Sequence, residues 1–347
     1  MCKWVDPGRL PRRLPLRKPL RPQAGTDWER RTERKGERVL TDSPDLVVVG
    51  SVALDSVQSP AGSVEEALGG SAVYCSIAAR FFCKVGIVAV VGDDFPSEHT
   101  AMLRERGVDT RGLVVEPGET FRWKGVYSDD FASRKTLETS LNVFAGFRPE
   151  IPEAYRNAKF LFLGNISPEL QSNVLDQMAG TELAVMDTMN FWIESDRDSV
   201  LEVMARCGGV MINDEEARAI SGETNLVRAS RFLLDKGPEF AVLKKGEHGC
   251  IFAGPEGLFC LPAYPSEAVR DPTGAGDTFA GGFLGYLAQA GGVSWELLKG
   301  ANAAGTVLAS CAVEGFSVEG LARATTSTLR ERIAALAEMC RFEPPSL

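Results

Sequence analysis

The sequence predicts an α/β protein built on a mostly parallel sheet, and three observations carry that expectation. From Asp45 onward, short β-branched runs alternate with stretches of helical periodicity, the order that generates βαβ units. The runs are apolar without interruption, as in Val47-Val48-Val49, which suits strands covered by helices on both faces. One stretch, 112–141, abandons the alternation for consecutive strands, so a small sheet is expected to stand off the main body.

Taken in order, strands are expected at 45–50, 85–91, 160–164, 183–187, 210–213 and 240–244. Helices are expected between them at 71–82, 97–106, 168–178, 214–221 and 226–236, and the section 276–339 reads as largely helical. Within 112–141, Phe121, Trp123 and Tyr127 alternate onto one face and Arg122 and Lys124 onto the other. The first 44 residues differ from the rest, with 12 Lys or Arg against 6 Asp or Glu, six prolines and no hydrophobic periodicity. They lack the apolar run of a secretory signal, and the prolines spoil the amphipathic helix of a transit peptide. They are expected to be a disordered extension, or upstream sequence outside the folded protein.

Charge and composition narrow the function classes. A chain of 347 residues, 44% hydrophobic, is long enough to bury a substantial core, and no apolar run approaches the roughly 18 residues that span a bilayer. A net charge of -9 disfavours nucleic acid and anionic lipid as partners, since both need a basic face. The eight cysteines form no C-x-x-C pair, and free thiols in a reducing cytoplasm are expected. The two histidines, His99 and His248, lie near no G-x-S-x-G elbow, so proton transfer is expected to use a carboxylate.

The strongest motif is Asp271-Pro272-Thr273-Gly274-Ala275-Gly276-Asp277-Thr278-Phe279, which opens an apolar helix. No G-x-x-x-x-G-K-[ST] is present, and Phe279 occupies the last glycine position of the nearest approach to G-x-G-x-x-G. Glycines ahead of a helix let backbone amides converge on an anion, and the helix N-terminus adds about half a positive charge. Asp277, a carboxylate beside that anion site, is either a helix cap or a general base that accepts a hydroxyl proton. With the amides of Gly274, Ala275 and Gly276 it would form a kinase site.

These residues resemble the ribokinase-like (PfkB) carbohydrate kinases, from about Asp45 to Met339. Val49-Gly50-Ser51 through Asp55 is similar to the family's first strand and sugar-binding aspartate, and Leu68-Gly69-Gly70-Ser71 to its substrate-contacting glycine pair. Asn213-Asp214-Glu215-Glu216 matches the N-x-x-E element associated with Mg²⁺ and phosphate. Lys244-Lys245-Gly246-Glu247-His248-Gly249 resembles the loop along the nucleotide phosphates, and Asn302 falls where the family places a residue near adenine. On the residues alone, Asp55 could be an ordinary loop aspartate, Asn213 and Glu216 could be caps, and Gly246 and Gly249 could bracket a plain hairpin.

The resemblance implies a three-layer α/β/α sandwich over 45–340 with a small β-sheet lid drawn from about 55–68 and 112–141, and a tail at 341–347. It implies ATP-dependent phosphorylation of a hydroxyl on a sugar or nucleoside, with Mg²⁺ near Asn213 and Glu216. A monovalent cation, typically K⁺, is implied at Asp271, Thr273 and Ala309. Where many members carry Asn after the glycine pair, this chain has Tyr74 and Cys75. Tyr74, Phe121, Trp123, Phe191 and Trp192 are either sugar- or base-stacking aromatics or packing residues. Arg122 and Lys124 either bind a substrate phosphate or line a solvated face. A homodimer through the lid is a further expectation. The alternatives are a vitamin-precursor kinase of the same superfamily and a non-catalytic sugar or nucleotide sensor on the same fold.

Overall fold

The computed structural model describes residues 43–131 and 133–345. In chain order the strands are β1 (Leu46–Val49), β2 (Ala53–Ser59), β3 (Gly62–Gly69), β4 (Val85–Gly92), β5 (Val108–Glu116), β6 (Arg122–Tyr127), β7 (Arg134–Ser140), β8 (Phe160–Leu163), β9 (Leu183–Met186), β10 (Gly209–Asn213), β11 (Phe240–Lys244), β12 (Cys250–Gly254) and β13 (Gly257–Leu261). Nine of them form one sheet in the order β13-β12-β11-β10-β9-β8-β1-β4-β5, and the other four form a second in the order β3-β2-β6-β7. Every pairing from β11 across to β5 is parallel, and the β12 and β13 edge is antiparallel.

The continuous apolar runs explain the layers. In β1, Leu46 and Val48 enter one core while Val47 and Val49 enter the other, and β8 repeats this with Phe160 and Phe162 against Leu161 and Leu163. Helices Ser71–Ala79, Ala275–Ala290 and Trp295–Ala312 cover the first face. Helices Pro168–Gln177, Arg197–Arg206, Asp214–Ser221 and Leu226–Asp235 cover the second. Each large apolar side chain so buried contributes about 1.5–3 kcal/mol. Local signals set the helix starts: Ser167, Asp196, Asn225 and Ser294 each accept a hydrogen bond from an amide in the first turn.

The stretch 112–141 divides, which corrects its reading as one run of small-sheet strands. Gly112–Glu116 is the second half of β5 and pairs in parallel with β4 in the main sheet; only from Arg122 does the chain enter the small sheet. No helix separates β5 from β6, so the two sheets share one strand-like run of sequence. The small sheet joins the β2–β3 hairpin to the β6–β7 hairpin through a parallel β2–β6 pairing.

At the junction, Arg122 donates to Glu66 Oε1 at 2.8 Å and Asp94 Oδ2 at 2.7 Å, and Asp94 Oδ1 accepts from the Thr120 amide at 2.7 Å. Arg122 is thereby a tie between the sheets rather than a phosphate ligand, because two carboxylates already hold its guanidinium. The expected extension over residues 1–44 lies outside the described residues apart from its last two positions, and the last two residues of the 341–347 tail are also outside them. Among the described residues no helix is long and apolar enough to cross a membrane, and the seven cysteines are all free.

Candidate active site

The 271–279 block forms a loop that turns into helix Ala275–Ala290. Gly274 adopts a left-handed φ of 73°, and a Cβ there would lie 2.3 Å from the Tyr74 ring. Tyr74, 2% exposed, therefore supports the loop from beneath, so of its two readings, substrate contact and packing, burial favours packing. The Ala275 amide closes a turn on the Pro272 carbonyl at 3.2 Å, so of the three amides expected at the anion this one is committed within the loop. Asp277 stands in the first turn, and burial, reinforced by the charge of Asp187 and opposed by Lys244, pushes its carboxyl up to about 7. Asp271 is 1% exposed; its Oδ1 accepts from the Thr273 amide at 2.9 Å, while its buried Oδ2 has no partner. Burial raises this carboxyl above its ordinary value. The Asp271 amide donates to the carbonyl of Val313, four residues past Ala309, whose own carbonyl accepts from the Val313 amide at 3.2 Å, and the Ser317 backbone bonds the Asp271 carboxyl.

Three adjacent parallel strands supply the second part of the site. The carboxyl ends of β9, β10 and β11 lie side by side, which brings Asp187, Asn213 and Lys244 together. Lys244 Nζ donates to Asp187 Oδ2 at 2.8 Å, and a Cβ built on Gly276 would lie 3.1 Å from the same ammonium. Asn213 and Glu216 form a capping box, each side chain accepting from the other's amide at 2.8 Å. Burial and then Asp187 push Glu216 up to about 8, with Lys244 opposing. Burial alone would lower Lys244, but Asp187 and Glu216 raise it, so it stays cationic.

Between β11 and β12, Gly246 and Gly249 take φ of 55° and 79°, and a Cβ on Gly249 would lie 2.0 Å from the Leu261 carbonyl oxygen. Asn302 is fully buried, donating to the Leu298 carbonyl at 2.8 Å and accepting from the Cys250 thiol at 3.6 Å. Its amide is thus engaged within the protein on both sides.

The small sheet closes the third side. Asp55 lies within β2 rather than in a loop beyond β1, and burial, with the charges of Asp271 and Asp277, pushes it up to about 7. Gly69 is glycine because a Cβ there would lie 1.9 Å from Asp55 Oδ2, and the Gly70 amide bonds the same carboxyl. Tyr127 bonds Thr273 Oγ1 at 3.1 Å, joining β6 to the 271–279 loop. Trp123 is pinned: its Nε1 donates to Thr136 Oγ1 at 3.3 Å, the Arg134 guanidinium lies 5.1 Å from its ring centre, and a Cβ on Gly125 would lie 2.2 Å from the ring. Phe121 precedes the strand and stacks on Phe144 at 5.3 Å, which removes it from the expected face with Trp123. Phe191 and Trp192 pack edge to face at 4.8 Å, and Trp192 Nε1 bonds Asn165. Lys124 is exposed.

Sequence reasoning missed Asp187 and Arg134. Arg134 bears electrostatically on Asp55, Tyr127, Glu216 and Asp277 from β7. Asp187 was visible only as the end of a strand, and the general tendency of parallel sheets to place ligands at carboxyl ends is the signal that could have found it. Among the described residues no group of three or more His, Cys, Asp or Glu side chains could hold a metal ion by itself.

Transfer of a phosphoryl group to a hydroxyl needs amides for the charge and a carboxylate for the proton, and the class this fold and site define is that of the phosphotransferases with a sugar or nucleoside hydroxyl as acceptor. The chain belongs to the pfkB family of carbohydrate kinases, whose model matches residues 43–319. It is 35% identical over 250 residues to a cytidine kinase of Thermococcus kodakarensis, covering 70% of this chain and 88% of that one. It is 32% identical over 120 residues to an aminoimidazole riboside kinase of Salmonella typhimurium, covering 32% and 37%. The fold matches a nucleoside kinase of Methanocaldococcus jannaschii with a TM-score of 0.69 at 19% identity, over 84% of this chain and 98% of that one. A Burkholderia thailandensis nucleoside kinase in complex with inosine matches with a TM-score of 0.69 at 16% identity, over 84% and 97%.

Proposed function

We propose that this protein transfers the γ-phosphoryl group of ATP to a hydroxyl of a nucleoside or of a closely related ribose-containing molecule. The observation that carries the reading is a pair of carboxylates that act on each other electrostatically, the half-buried Asp277 in the first turn of the glycine-led helix and the buried Asp55 on the small sheet, both pushed up to about 7. Asp55 accepts hydrogen bonds from the acceptor's hydroxyls. Asp277 takes the proton of the reacting hydroxyl, and a carboxyl poised near 7 suits that task. The Gly274 and Gly276 amides and the positive end of helix Ala275–Ala290 hold the phosphoryl oxygens, and the turn through Gly246 and Gly249 lies along the nucleotide phosphates. The small sheet acts as a lid that excludes water.

Asn213 and Glu216 would hold Mg²⁺ through water and the ATP phosphates; their hard oxygens fit that ion, which when bound neutralises phosphate charge. Asp271 with Thr273 would hold K⁺, and the partnerless buried Oδ2 of Asp271 fits a cation. The nucleoside preference rests on similarity to relatives named cytidine kinase and nucleoside kinase. The test is ADP release from ATP with a panel of nucleosides and free sugars. Acceptor-dependent release, strongest with a nucleoside, is expected; no release above the acceptor-free rate with any of them would overturn the proposal.

A further inference from the structure

The Asp187–Lys244 pair occupies a place that a merely structural ion pair would not need. Its lysine side chain is 16% exposed and its aspartate side chain 10%, at the open end of three parallel strands rather than deep in either core. An ammonium has three donors. Asp187 Oδ2 takes one at 2.8 Å, and no other acceptor within the described residues hydrogen-bonds Nζ. The same Nζ lies where a Cβ of Gly276 would crowd it, at 3.1 Å, beside the amides that open helix Ala275–Ala290. Two unused donors of an enclosed cation thus lie beside Gly276 in the first turn of helix Ala275–Ala290, where a bound anion would meet both the ammonium and the positive end of the helix.

Asp187 is held more firmly than an ordinary ion-pair partner. Its Oδ1 accepts from the Thr188 amide at 2.8 Å, and its backbone carbonyl accepts from Gln171 Nε2 at 2.9 Å. Gln171, 1% exposed, also donates to the Gly164 carbonyl at 3.0 Å, which locks the ends of β8 and β9 to each other. The lysine, on a flexible four-carbon stem, gains its fixed direction from this anchored carboxylate. Both neighbouring carboxylates, Glu216 and Asp277, lie close enough to act on Lys244 electrostatically.

We infer that Lys244 is a catalytic residue that meets the phosphoryl group during its transfer, and that Asp187 is the positioning residue that aims it. The inference rests on the kinase reading above. An ammonium beside Gly276 neutralises charge on the phosphoryl oxygens as the hydroxyl oxygen bonds to phosphorus and the bond to the ADP oxygen breaks. The hydroxyl proton goes to Asp277 and the electron pair leaves with ADP, so Lys244 keeps its own protons throughout. Because the contact matters most as charge is redistributed in the transition state, its loss falls on kcat rather than on acceptor KM.

The experiment is a double-mutant cycle on the full chain with ATP and the best nucleoside acceptor. Lys244→Met should lower kcat about 10²- to 10³-fold, the usual worth of one preorganised donor at developing charge, with acceptor KM within about threefold. Lys244→Arg, which keeps the charge, should retain more turnover than Lys244→Met. Asp187→Asn should lower kcat about 10- to 100-fold, as loss of a supporting carboxylate commonly does. The double variant Asp187→Asn/Lys244→Met, which removes both members of the ion pair and so leaves neither of them buried without its partner, should be no slower than Lys244→Met alone.

Multiplicative losses in the double variant would show that Asp187 does not act through Lys244. A Lys244→Met turnover within threefold of an active wild type would overturn the inference alone. A wild type inactive on every acceptor would overturn the kinase reading, and this inference with it.

Discussion

The two sheets reach the same cleft by opposite constructions. The nine-stranded sheet buries both faces, so its strand interiors are apolar and its working groups sit just at or past the strand ends, as Asp187, Asn213 and Lys244 do. The four-stranded sheet has much of β3 and β7 in water, so Asp55 can lie within β2, while Tyr127 and Arg134 pair at the ends of β6 and β7 that meet in their hairpin. A doubly covered sheet can position charge only at its edge; a singly covered one can do so along its length. Chemistry is therefore expected to depend on the large sheet and acceptor recognition on the small one.

The largest effect should sharpen that division. Asp277→Asn is expected to lower kcat by about 10² to 10⁴ with little change in ATP affinity, read from steady-state kinetics. Near wild-type turnover in the variant would remove Asp277 from the chemistry. Stability should divide in the same way: Phe162→Ala, at a position fully buried in β8, should cost about 3–5 kcal/mol in urea unfolding. Leu137→Ala, 50% exposed on β7, should change it by no more than about 0.5 kcal/mol. Equal losses would mean that the small sheet packs as a core.

A pH titration compares Asp55 of the small sheet with Asp277, which stands in the first turn of a helix packed on the large one. Asp277 and Asp55 are both pushed from an ordinary 3.8 to about 7, so between those values the folded protein holds protons that the unfolded chain releases. Their contribution to stability is complete below about 3.8 and is lost as pH rises through about 7. The melting temperature of the free protein should accordingly be higher at pH 5.5 than at pH 8.5, and Asp277→Asn should flatten that slope. Turnover should move the other way, rising through about pH 7 as the base ionises; a flat rate from pH 5.5 to 8.5 would contradict this. The smallest effect belongs to Tyr127→Phe, which removes the hydrogen bond to Thr273 across the sheets. About 0.5–1.5 kcal/mol should appear, chiefly as a raised acceptor KM, and a shift in ATP KM alone would place that contact on the other side of the cleft.

Much of the large sheet was legible because burial on both faces writes itself as unbroken apolar runs, and the 271–279 block announced its own turn and helix. The small sheet was legible only in part. Val108–Glu116 shares its composition with the strands that follow, and nothing local says that it pairs with β4 rather than with them. Asp187 escaped notice because a carboxylate after a strand looks like any loop aspartate until β11 sets Lys244 beside it. The readings of Tyr74 as stacking or packing and of Asn302 as a neighbour of adenine came from their places in the chain, whereas their burial depends on helix packing that no local pattern encodes. Trp123 was visible as an aromatic on a strand, but not as one enclosed by Gly125 and Arg134.

The parallel pairing of β2 with β6 has a consequence for how the protein comes into being. β2 leaves the ribosome long before its partner, and between Leu54 and Arg122 the chain must lay down β3, β4, β5 and two helices. Closing so long a loop costs entropy that one strand pair cannot offset until β1, β4 and β5 have drawn its ends together. The small sheet is therefore a late product of assembly, completed on a body already in place. A chain interrupted before β6 has Asp55 but no surface to hold it, and a chain that has just finished β6 still lacks the 271–279 loop. Asp55 and Asp277 therefore lack their mutual setting until synthesis is nearly over, so a half-made chain has no assembled site.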